Sequence, residues 1–413
     1  MVTETEATEF LAARAKFGIK LGLEKISGLL KFLNNPQTKY PLVHVGGTNG
    51  KGSTSAFIAS VFQEHGLKVG LYTSPHLVYL NERIKINGQP VSNKRFCEIL
   101  EQIKSKSEEL ENTFFDVLTA IGFQYFANEK VDIAVIEVGM GGRFDSTNII
   151  NPVASVITSV ALDHQQYLGN SIRQIAMEKS GIIKPGKKIF TGNLSDDARE
   201  VIQKTASDCN SKLVYVSSDE KSYLVRNSML ALSASEFVLE EMKILVDRKK
   251  LKSGIKNVVK NTGLTGRFHE IQHELSYLIL DAAHNPEGIE ALLESYSEKY
   301  EDIKPVILFG CVGDKDYRQM LKKLRSLTDT ILLAVPKLNR GNTIEKLSET
   351  ARNEDFKTTD FDSVESAFDY GLEHHGQKPF IICGSFYLLG EIYELLAERK
   401  ILKNPLKGLT INQ

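Results

Sequence analysis

Short apolar runs alternate with amphipathic stretches along the first part of the chain. The apolar runs are rich in β-branched residues, which is typical of strands buried on both faces of a sheet. Between them, residues 54–65 and 114–128 place apolar side chains three and four positions apart, which predicts helices. This alternation predicts an α/β fold with a doubly wound, mostly parallel sheet. The predicted strands are PLVHVGG (41–47), LKVGLYTS (67–74), VDIAVIEVG (131–139) and PVASVITSV (152–160).

A second alternation begins near Ser276 and predicts a smaller α/β domain with a Rossmann-like sheet. Its first helix, 286–299, opens with Pro and Glu, which suit the first turn of a helix. The boundary lies near NTGLTGRF (261–268), which is rich in turn formers. We therefore expect two domains, 1–265 and 266–413. The strands predicted for the second domain are LSYLILD (275–281), PVILFGCV (305–312), TILLAVP (330–336) and PFIICG (379–384).

The charge balance of the chain bears on its partners. Among 413 residues, Lys plus Arg number 51 and Asp plus Glu number 52, so the net charge is -1. This balance gives no electrostatic reason to expect nucleic acid or an anionic membrane as a partner. The longest apolar run, 153–162, is too short to span a bilayer. Because the cysteines are scattered and the first ten residues are acidic and polar, we expect a cytoplasmic protein with free thiols.

The strongest single motif is GGTNGKGS (46–53), which lies between a predicted strand and a predicted helix. Glycines let backbone N–H groups close around phosphate oxygens, and the N-terminus of the following helix adds a partial positive charge. Lys51 can reach terminal phosphates and Ser53 a metal ion, although the spacing differs from the standard phosphate loop. The alternative is an ordinary glycine-rich turn. The residues expected to bind nucleotide here are Thr48, Asn49, Gly50, Lys51, Gly52 and Ser53.

Three further polar residues stand out against apolar surroundings. Glu137 ends a central strand and His164 follows the next one, so both fall at the sheet edge that carries the phosphate loop. Glu137 is costly to bury unless it pairs with a basic residue or binds Mg²⁺. His164 could bind a metal or be a hydrogen-bonded loop histidine. Lys179 lies in an apolar helical stretch, where a lysine with its head group in water is the ordinary alternative.

Motifs spread over most of the chain resemble the folylpolyglutamate synthase and dihydrofolate synthase family, a branch of the Mur-type ATP-dependent ligases. No single motif is specific, but their combination and order are. The segment 17–33 also resembles that family's N-terminal helix on the folate side. The motifs are HVGGTNGKGSTS (44–55), SPHL (74–77), NERI (81–84), IEVGMGGRFDSTN (136–148), SVITSVALDH (155–164), EKSGIIKPG (178–186), GRF (266–268), DAAHNP (281–286) and CGSFYLLGE (383–391).

The resemblance implies an acid–amino-acid ligase with a P-loop domain and a glutamate-binding C-terminal domain. ATP would bind between the two domains, and a folate or pteroate carboxylate would attack its γ-phosphate to form an acyl phosphate. The amine of L-glutamate would then displace phosphate, leaving an amide and ADP. Ser74, Glu137 and His164 match the positions that hold Mg²⁺, and Lys179 matches a lysine that is carbamylated. A monovalent cation is a further candidate cofactor, and the resemblance favours a monomer.

The resemblance also assigns residues of the second domain. Arg267 matches an interdomain arginine that reaches ATP phosphates, and Asp281 and His284 match nucleotide-binding and catalytic-cleft residues. The HNP sequence is equally a turn that starts the next helix. Ser385 and Tyr387 follow the last strand and are candidates for the glutamate site, although Ser385 is as good a candidate for a helix N-cap.

Two asparagines, Asn49 and Asn227, are the candidates for adenine or ribose contacts. Asn227 is assigned because the sequence after it resembles the family's helix that starts with an Asn. The chain departs from the family before it, because 217–226 is shorter than usual and lacks a Gly-His-Gln-type turn. Asp116 stands where Glu is common and Ala282 where Gly is usual. The short segment puts the shape of the adenine pocket in doubt.

Two other functions stay open. One is a Mur-type ligase for another substrate, such as a UDP-linked peptidoglycan precursor. Those chains carry an extra UDP-binding domain, for which we expect no room before Gly46. The other is a nucleotide-binding protein without ligase activity, which the short 217–226 region suggests. Within the family the acceptor is dihydropteroate, a reduced folate, or both, and we expect both.

Overall fold

The computed structural model describes residues 2–16, 18, 22–301, 303–313, 315–337, 342–402 and 408–410. The chain forms two compact units. The first contains Met1–Glu220, Leu224–Leu264 and Gly408–Asn412, and the second contains Lys221–Tyr223, Thr265–Lys407 and Gln413. The domain limits expected from the sequence, 1–265 and 266–413, remain predictions. Of the predicted helix 17–33, residues 17 and 19–21 lie outside the described residues, and a helix spans Glu24–Phe32.

The described residues of the first unit form an eight-stranded sheet in the order β4-β3-β2-β5-β1-β6-β7-β8. Neighbouring strands run parallel except at one edge, where β3 is antiparallel to β2 and β4. Parallel strands need crossovers, which helices supply here. The strands are β1 (Leu42–Gly46), β2 (Val69–Tyr72), β3 (Ile84–Ile86), β4 (Gln89–Pro90), β5 (Ile133–Glu137), β6 (Ala154–Ile157), β7 (Lys188–Thr191) and β8 (Leu213–Tyr215).

Helices cover both faces of this sheet. Those on one face include α2, α4 and α5, and those on the other include α3, α9 and α10. Every residue of the central strands β1 and β5 is therefore buried, which explains why these strands are mostly apolar; His44 and Glu137 are their polar residues. The helices are α1 (Glu4–Ala15), α2 (Glu24–Phe32), α3 (Lys51–Glu64), α4 (Asn93–Glu109), α5 (Phe114–Asn128), α6 (Gln165–Leu168), α7 (Ile172–Ser180), α8 (Asp196–Asp208), α9 (Tyr223–Glu241), α10 (Arg248–Lys256) and α11 (Val258–Thr262).

Helix α5 begins with a reciprocal cap that uses Asp116. The Thr113 hydroxyl accepts the Asp116 N–H at 3.2 Å, and the Asp116 carboxylate accepts the Thr113 N–H at 2.9 Å. The hydroxyl of Ser146 also donates to this carboxylate at 2.7 Å. An aspartate therefore fills the capping position that a glutamate usually takes, so this departure from the family pattern costs the helix no cap.

The described residues of the second unit form a six-stranded sheet in the order β13-β12-β11-β14-β10-β9. Its strands are parallel except β9, which pairs antiparallel with β10. Helices again connect the parallel strands, which confirms the predicted α/β class. The elements are β9 (His269–His273), β10 (Ser276–Leu280), α12 (Pro286–Tyr300), β11 (Val306–Phe309), α13 (Tyr317–Leu324), β12 (Thr330–Leu333), α14 (Ile344–Asn353), β13 (Lys357–Asp360), α15 (Val364–His374), β14 (Phe380–Cys383) and α16 (Phe386–Glu398).

In the part of the chain that the structure describes, no helix is both long and apolar enough to cross a membrane.

Candidate functional site

The glycine-rich loop joins the end of β1 to the start of α3, and its backbone admits no side chain at two positions. Gly47 has a φ of +143°, and a Cβ there would lie 2.0 Å from the Thr158 hydroxyl oxygen. Gly50 has a φ of +84° and is the N-cap of α3. A Cβ on Gly50 would lie 2.7 Å from Oδ1 of Asn227. Glycine is therefore required at both places by conformation and by space.

The residues between these glycines tie the loop to the segment that follows β6. The Thr48 N–H donates to the Ser159 carbonyl at 2.9 Å, and the Ala161 N–H donates to the Thr48 hydroxyl at 3.0 Å. The Asn49 N–H donates to the Ser159 hydroxyl at 3.0 Å. These hydrogen bonds hold the loop in its curved conformation. Thr48 and the backbone of Asn49 therefore have a structural role.

Lys51 and Ser53 carry the loop's polar groups at the N-terminus of α3. The Lys51 ammonium folds back over the loop and donates to the carbonyls of Gly47, at 3.2 Å, and Thr48, at 3.0 Å. The Ser53 hydroxyl is buried and has no hydrogen-bond partner among the described residues. A buried hydroxyl without a partner costs free energy, and a phosphate or metal ion would satisfy it. The loop thus gathers a cation, a helix N-terminus and a hydroxyl at one place.

Glu137 is the last residue of β5 and is only 2% exposed. Its Oε2 accepts the Ser74 N–H at 2.9 Å. A Cβ on Gly52 would lie 3.5 Å from the same oxygen, so the carboxylate stands beside the first turn of α3. The two predicted metal residues Ser74 and Glu137 therefore contact each other, and the phosphate loop lies next to them.

His164 follows β6 in a left-handed conformation, with a φ of +50°. Its side chain is 37% exposed, and its Nε2 lies 4.0 Å from a carboxylate oxygen of Asp163. Within the described ranges, no group of three or more His, Cys, Asp and Glu side chains is placed to hold a metal ion. The Glu137 carboxylate and the neighbouring hydroxyl groups are oxygen donors of the kind that Mg²⁺ prefers.

Lys179 lies near the end of α7 and is 3% exposed. Its ammonium donates to the Gly47 carbonyl at 2.8 Å. The alternative of a head group held in water is therefore wrong. Lys51 and Lys179 converge on the same carbonyl of the glycine-rich loop, that of Gly47, so Lys179 lies at the edge of the sheet that carries this loop.

Asn227 faces the phosphate loop from α9. Its amide lies against Gly50, and its Nδ2 is enclosed without a hydrogen-bond partner in the described part of the chain. The helix begins at Tyr223, four residues earlier than a helix that starts at Asn227 would. Residues 217–220 and Met229 line an open concavity of ≈ 440 Å³. The short segment before α9 therefore leaves Asn227 at the loop and an open surface beside it.

In the second unit, Asp281 follows β10 and is held by three donors. Its Oδ2 accepts the Tyr223 hydroxyl at 2.5 Å and the Phe268 N–H at 2.8 Å. Its Oδ1 accepts the Ala283 N–H at 2.8 Å. Burial raises the pKa of Asp281, while the hydrogen bond from Tyr223 and the charge of Arg267 oppose that rise. The structure thus assembles a buried, oriented carboxylate.

Tyr223 is the partner of Asp281 that sequence reasoning missed. Burial and the neighbouring carboxylate raise the pKa of Tyr223, so the phenol keeps its proton and donates it. The sequence SYLVRN (222–227) offers no motif that could have revealed this contact. Only the fold brings a residue 58 positions upstream to the end of β10.

Arg267 and His284 share an aromatic neighbour. The Arg267 guanidinium lies 4.7 Å from the ring centre of Phe386, and it donates to the Gly266 carbonyl at 3.0 Å. The His284 ring lies 5.3 Å from that of Phe386. A cation over an aromatic face is oriented without losing its charge. Phe386 therefore holds both basic side chains at one end of the second sheet.

Two structural roles that the sequence offered as alternatives are observed: the HNP turn that starts a helix, and Ser385 as a helix N-cap. Asn285 is the N-cap of α12 and accepts the Gly288 N–H at 2.7 Å, so HNP does start a helix. Ser385 is the N-cap of α16, and its hydroxyl accepts the Tyr387 N–H at 3.1 Å. Tyr387 is 41% exposed. Of the two residues predicted for the glutamate site, Tyr387 is therefore the accessible one.

Comparisons with known proteins agree with this arrangement. The family model of the Mur ligase middle domain matches residues 45–269, and that of the Mur ligase glutamate ligase domain matches residues 266–386. The chain is 36% identical over 367 residues to the dihydrofolate synthase/folylpolyglutamate synthase of Bacillus subtilis, covering 80% of this chain and 84% of that protein. It is 32% identical over 411 residues to the folylpolyglutamate synthase of Lacticaseibacillus casei, covering 90% and 94%.

A solved structure gives the same result for the fold. The structure of E. coli FolC in complex with DHPP and ADP matches with a TM-score of 0.86 at 27% identity, covering 97% of this chain and 99% of that one.

Proposed function

Because the chain belongs to the folylpolyglutamate synthase and dihydrofolate synthase family of Mur-type ligases, it is an ATP-dependent ligase, and we propose that it joins L-glutamate to a folate-type carboxylate. The observation that carries the proposal is the phosphate loop with Lys51, Ser53 and the buried carboxylate of Glu137 beside it. Relatives of the Bacillus and Lacticaseibacillus type, which span most of the chain, support the same reaction.

The reaction proceeds in two steps. The acceptor carboxylate attacks the γ-phosphorus of ATP, ADP leaves, and an acyl phosphate forms. The amine of glutamate then attacks the acyl carbon, phosphate leaves with the bridging oxygen, and the amine loses a proton. In the first step, charge spreads over the oxygens of the transferring phosphoryl group. Lys51 and the N-terminus of α3 are fixed beforehand at the site where that charge develops.

Mg²⁺ fits the oxygen donors at the sheet edge. The carboxylate of Glu137 is buried beside α3, and the Ser53 hydroxyl is unsatisfied within the described residues. We assign Ser74, Glu137 and His164 to the metal site, as the resemblance implies, and place the Ser53 hydroxyl beside them. A bound Mg²⁺ would neutralise phosphate charge. The Ser74 N–H donates to the Glu137 carboxylate and orients it.

We assign to Lys179 a carbamate on its side-chain amine. Its amine is enclosed at the phosphate loop, where a carbamate would retain one N–H for the Gly47 carbonyl and add two oxygens. The change converts a cation into an anionic oxygen ligand close to Glu137's end of the sheet. A monovalent cation is the second ion that this set of oxygens would accept.

Nucleotide and glutamate recognition are shared among the remaining residues. Asn227, whose Nδ2 has no partner in the described structure, and Asn49 serve the nucleoside. Arg267 serves the phosphates, and Asp281 the nucleotide, with Tyr223 holding its carboxylate. His284 acts at the reacting groups. Tyr387 binds glutamate, and Ser385, as the N-cap of α16, positions the backbone of Tyr387.

The acceptor we propose is dihydropteroate as well as reduced folates, and we expect a cytoplasmic monomer. The test is release of ADP from Mg-ATP with L-glutamate present, compared among dihydropteroate, tetrahydrofolate and no acceptor. Stimulation by both acceptors supports the bifunctional assignment. Stimulation by only one narrows it to that acceptor. No stimulation by either, with ATP still bound, would refute the proposal and favour a ligase for another substrate or a protein that only binds nucleotide.

A further inference from the structure

The last described residues of the chain, Gly408–Thr410, belong to the first unit. We call them the return segment. Its central residue, Leu409, is 3% exposed and packs in the same apolar core as α2, α4 and α5. Gly408 is closely covered as well, because a Cβ there would lie 2.7 Å from both Tyr79 and Asn81. The return segment is therefore packed into the unit and does not lie on its surface.

Two hydrogen bonds join the backbone of Leu409 to one short stretch of the chain. The Leu80 N–H donates to the Leu409 carbonyl at 2.9 Å, and the Leu409 N–H donates to Oδ1 of Asn81 at 2.7 Å. Asn81 is buried, and its amide also donates to the Val91 carbonyl at 2.6 Å. The carbonyl and the N–H of Leu409 thus form hydrogen bonds with two consecutive residues, Leu80 and Asn81. These bonds fix the position of the return segment.

Leu80 and Asn81 lie in a closed loop, 74–83, which the Thr73 N–H completes by donating to the Arg83 carbonyl at 3.0 Å. Inside it, the Glu82 carboxylate accepts the N–H groups of residues 77–79 at 3.0, 2.9 and 2.6 Å. Arg83 donates to Nδ1 of His76 at 2.8 Å. The 74–83 loop is therefore braced by its own hydrogen bonds. A contact that fixes Leu80 consequently also limits the movement of the rest of the loop.

The other end of the 74–83 loop contacts the site, because the Ser74 N–H donates to Oε2 of Glu137. We propose that Leu409 is a positioning residue for the ligase reaction: it holds Leu80 and Asn81, and through the braced loop it keeps Ser74 on the Glu137 carboxylate. This inference rests on the proposed function for its kinetic consequence. Its structural part, the support of the loop by the return segment, stands apart from the reaction.

The test uses variants of the full chain. Leu409→Ala removes the buried side chain, and deletion of residues 408–413 removes the backbone bonds as well. Thr410→Ala, at the exposed neighbour, is the matched control, and Leu409→Ile is the conservative variant. Each is measured for kcat with saturating Mg-ATP, glutamate and tetrahydrofolate, for ADP affinity, and for amide hydrogen exchange in a peptide that covers the 74–83 loop.

We expect Leu409→Ala and the deletion to lower kcat by about 10- to 100-fold, the range that a misplaced group causes from a distance. Exchange at the loop should accelerate, while ADP affinity stays within about 2-fold because the phosphate loop is untouched. Leu409→Ile and Thr410→Ala should match the wild type in all three measurements.

Two results would overturn the inference. One is unchanged exchange in the 74–83 loop of both the alanine variant and the deletion. The other is a kcat that falls only as far as the folded fraction falls in thermal unfolding, since that is a structural role alone. If the wild type shows no folate-dependent turnover, the proposed function fails, and the exchange experiment still decides whether the return segment supports the loop.

Discussion

Substitution of Gly50 by alanine tests the geometry of the phosphate loop. The residue has a φ of +84°, and a Cβ would lie 2.7 Å from Oδ1 and 3.0 Å from Nδ2 of Asn227. Optimal carbon contacts begin near 3.5 Å, so either the loop or the Asn227 amide has to move by roughly 0.8 Å. A displacement of about 1 Å in a reacting geometry costs on the order of 10²-fold. We therefore expect kcat/KM for ATP to fall by about 10- to 100-fold.

Gly66 provides the matched control for this substitution. Its φ of +89° imposes a similar strain on alanine, about 1–2 kcal/mol, but a Cβ there would meet nothing within 4 Å. Gly66→Ala should lower the thermal midpoint and leave ADP affinity and kcat/KM unchanged. Gly50→Ala should lower the midpoint and weaken ADP binding measured by calorimetry.

A second variant shows whether the close approach to Asn227 is the cause. In an Asn227→Ala background the obstructing amide is absent, so adding Gly50→Ala should cost no more than adding Gly66→Ala. Coupling of this kind between contacting residues is about 0.5–3 kcal/mol. Equal effects of Gly50→Ala and Gly66→Ala in the wild-type background would refute the reasoning, because strain alone would then account for both.

Three further substitutions address single charges and bonds. Lys51→Ala should reduce kcat by about 10²- to 10³-fold, because loss of a preorganised charge-stabilising group has an effect of that size. The circular dichroism spectrum should be unchanged. Retained turnover would show that Lys51 does not stabilise the transferring phosphoryl group. Glu137→Gln keeps an acceptor for the Ser74 N–H but removes the charge, so turnover should be lost while the fold persists, and activity close to the wild type would contradict the metal assignment. Tyr223→Phe removes a donor that lowers the pKa of Asp281, so the acid limb of kcat/KM should move to higher pH, and an unmoved limb would show that Asp281 does not need its charge.

The parallel strands were predictable because their position dictates their composition. A strand such as β5, buried on both faces, is mostly apolar, and VDIAVIEVG (131–139) shows an apolar run that leads to Glu137 at the end of the strand. Edge strands carry no such requirement. β13 (Lys357–Asp360) is mostly exposed and polar, and β3 and β4 are short, so no pattern predicted them. The helix α9 begins at Tyr223 and not at Asn227, and the residue before it, Ser222, is of a type that favours a helix N-cap.

The candidate site divides in the same way between local and long-range features. The glycines of the phosphate loop and the end of β5 follow from local rules about turns and strand ends, so Lys51 and Glu137 could be named from the sequence. Tyr223 and Leu409 could not, because each acts through a contact that only the tertiary fold creates. The Ser385 hydroxyl makes a local contact instead, the helix cap that the sequence also offered for this residue.

The central claim is that an acyl phosphate of the folate-type acceptor links ATP cleavage to amide formation. The measurement that tests it most directly uses tetrahydrofolate or dihydropteroate labelled with ¹⁸O in the acceptor carboxylate, with L-glutamate and Mg-ATP. Mass spectrometry of the phosphate and of the folate product follows. The account predicts one ¹⁸O in each phosphate released and one retained in the new amide. Unlabelled phosphate, or ATP cleavage without an added glutamate, would contradict it.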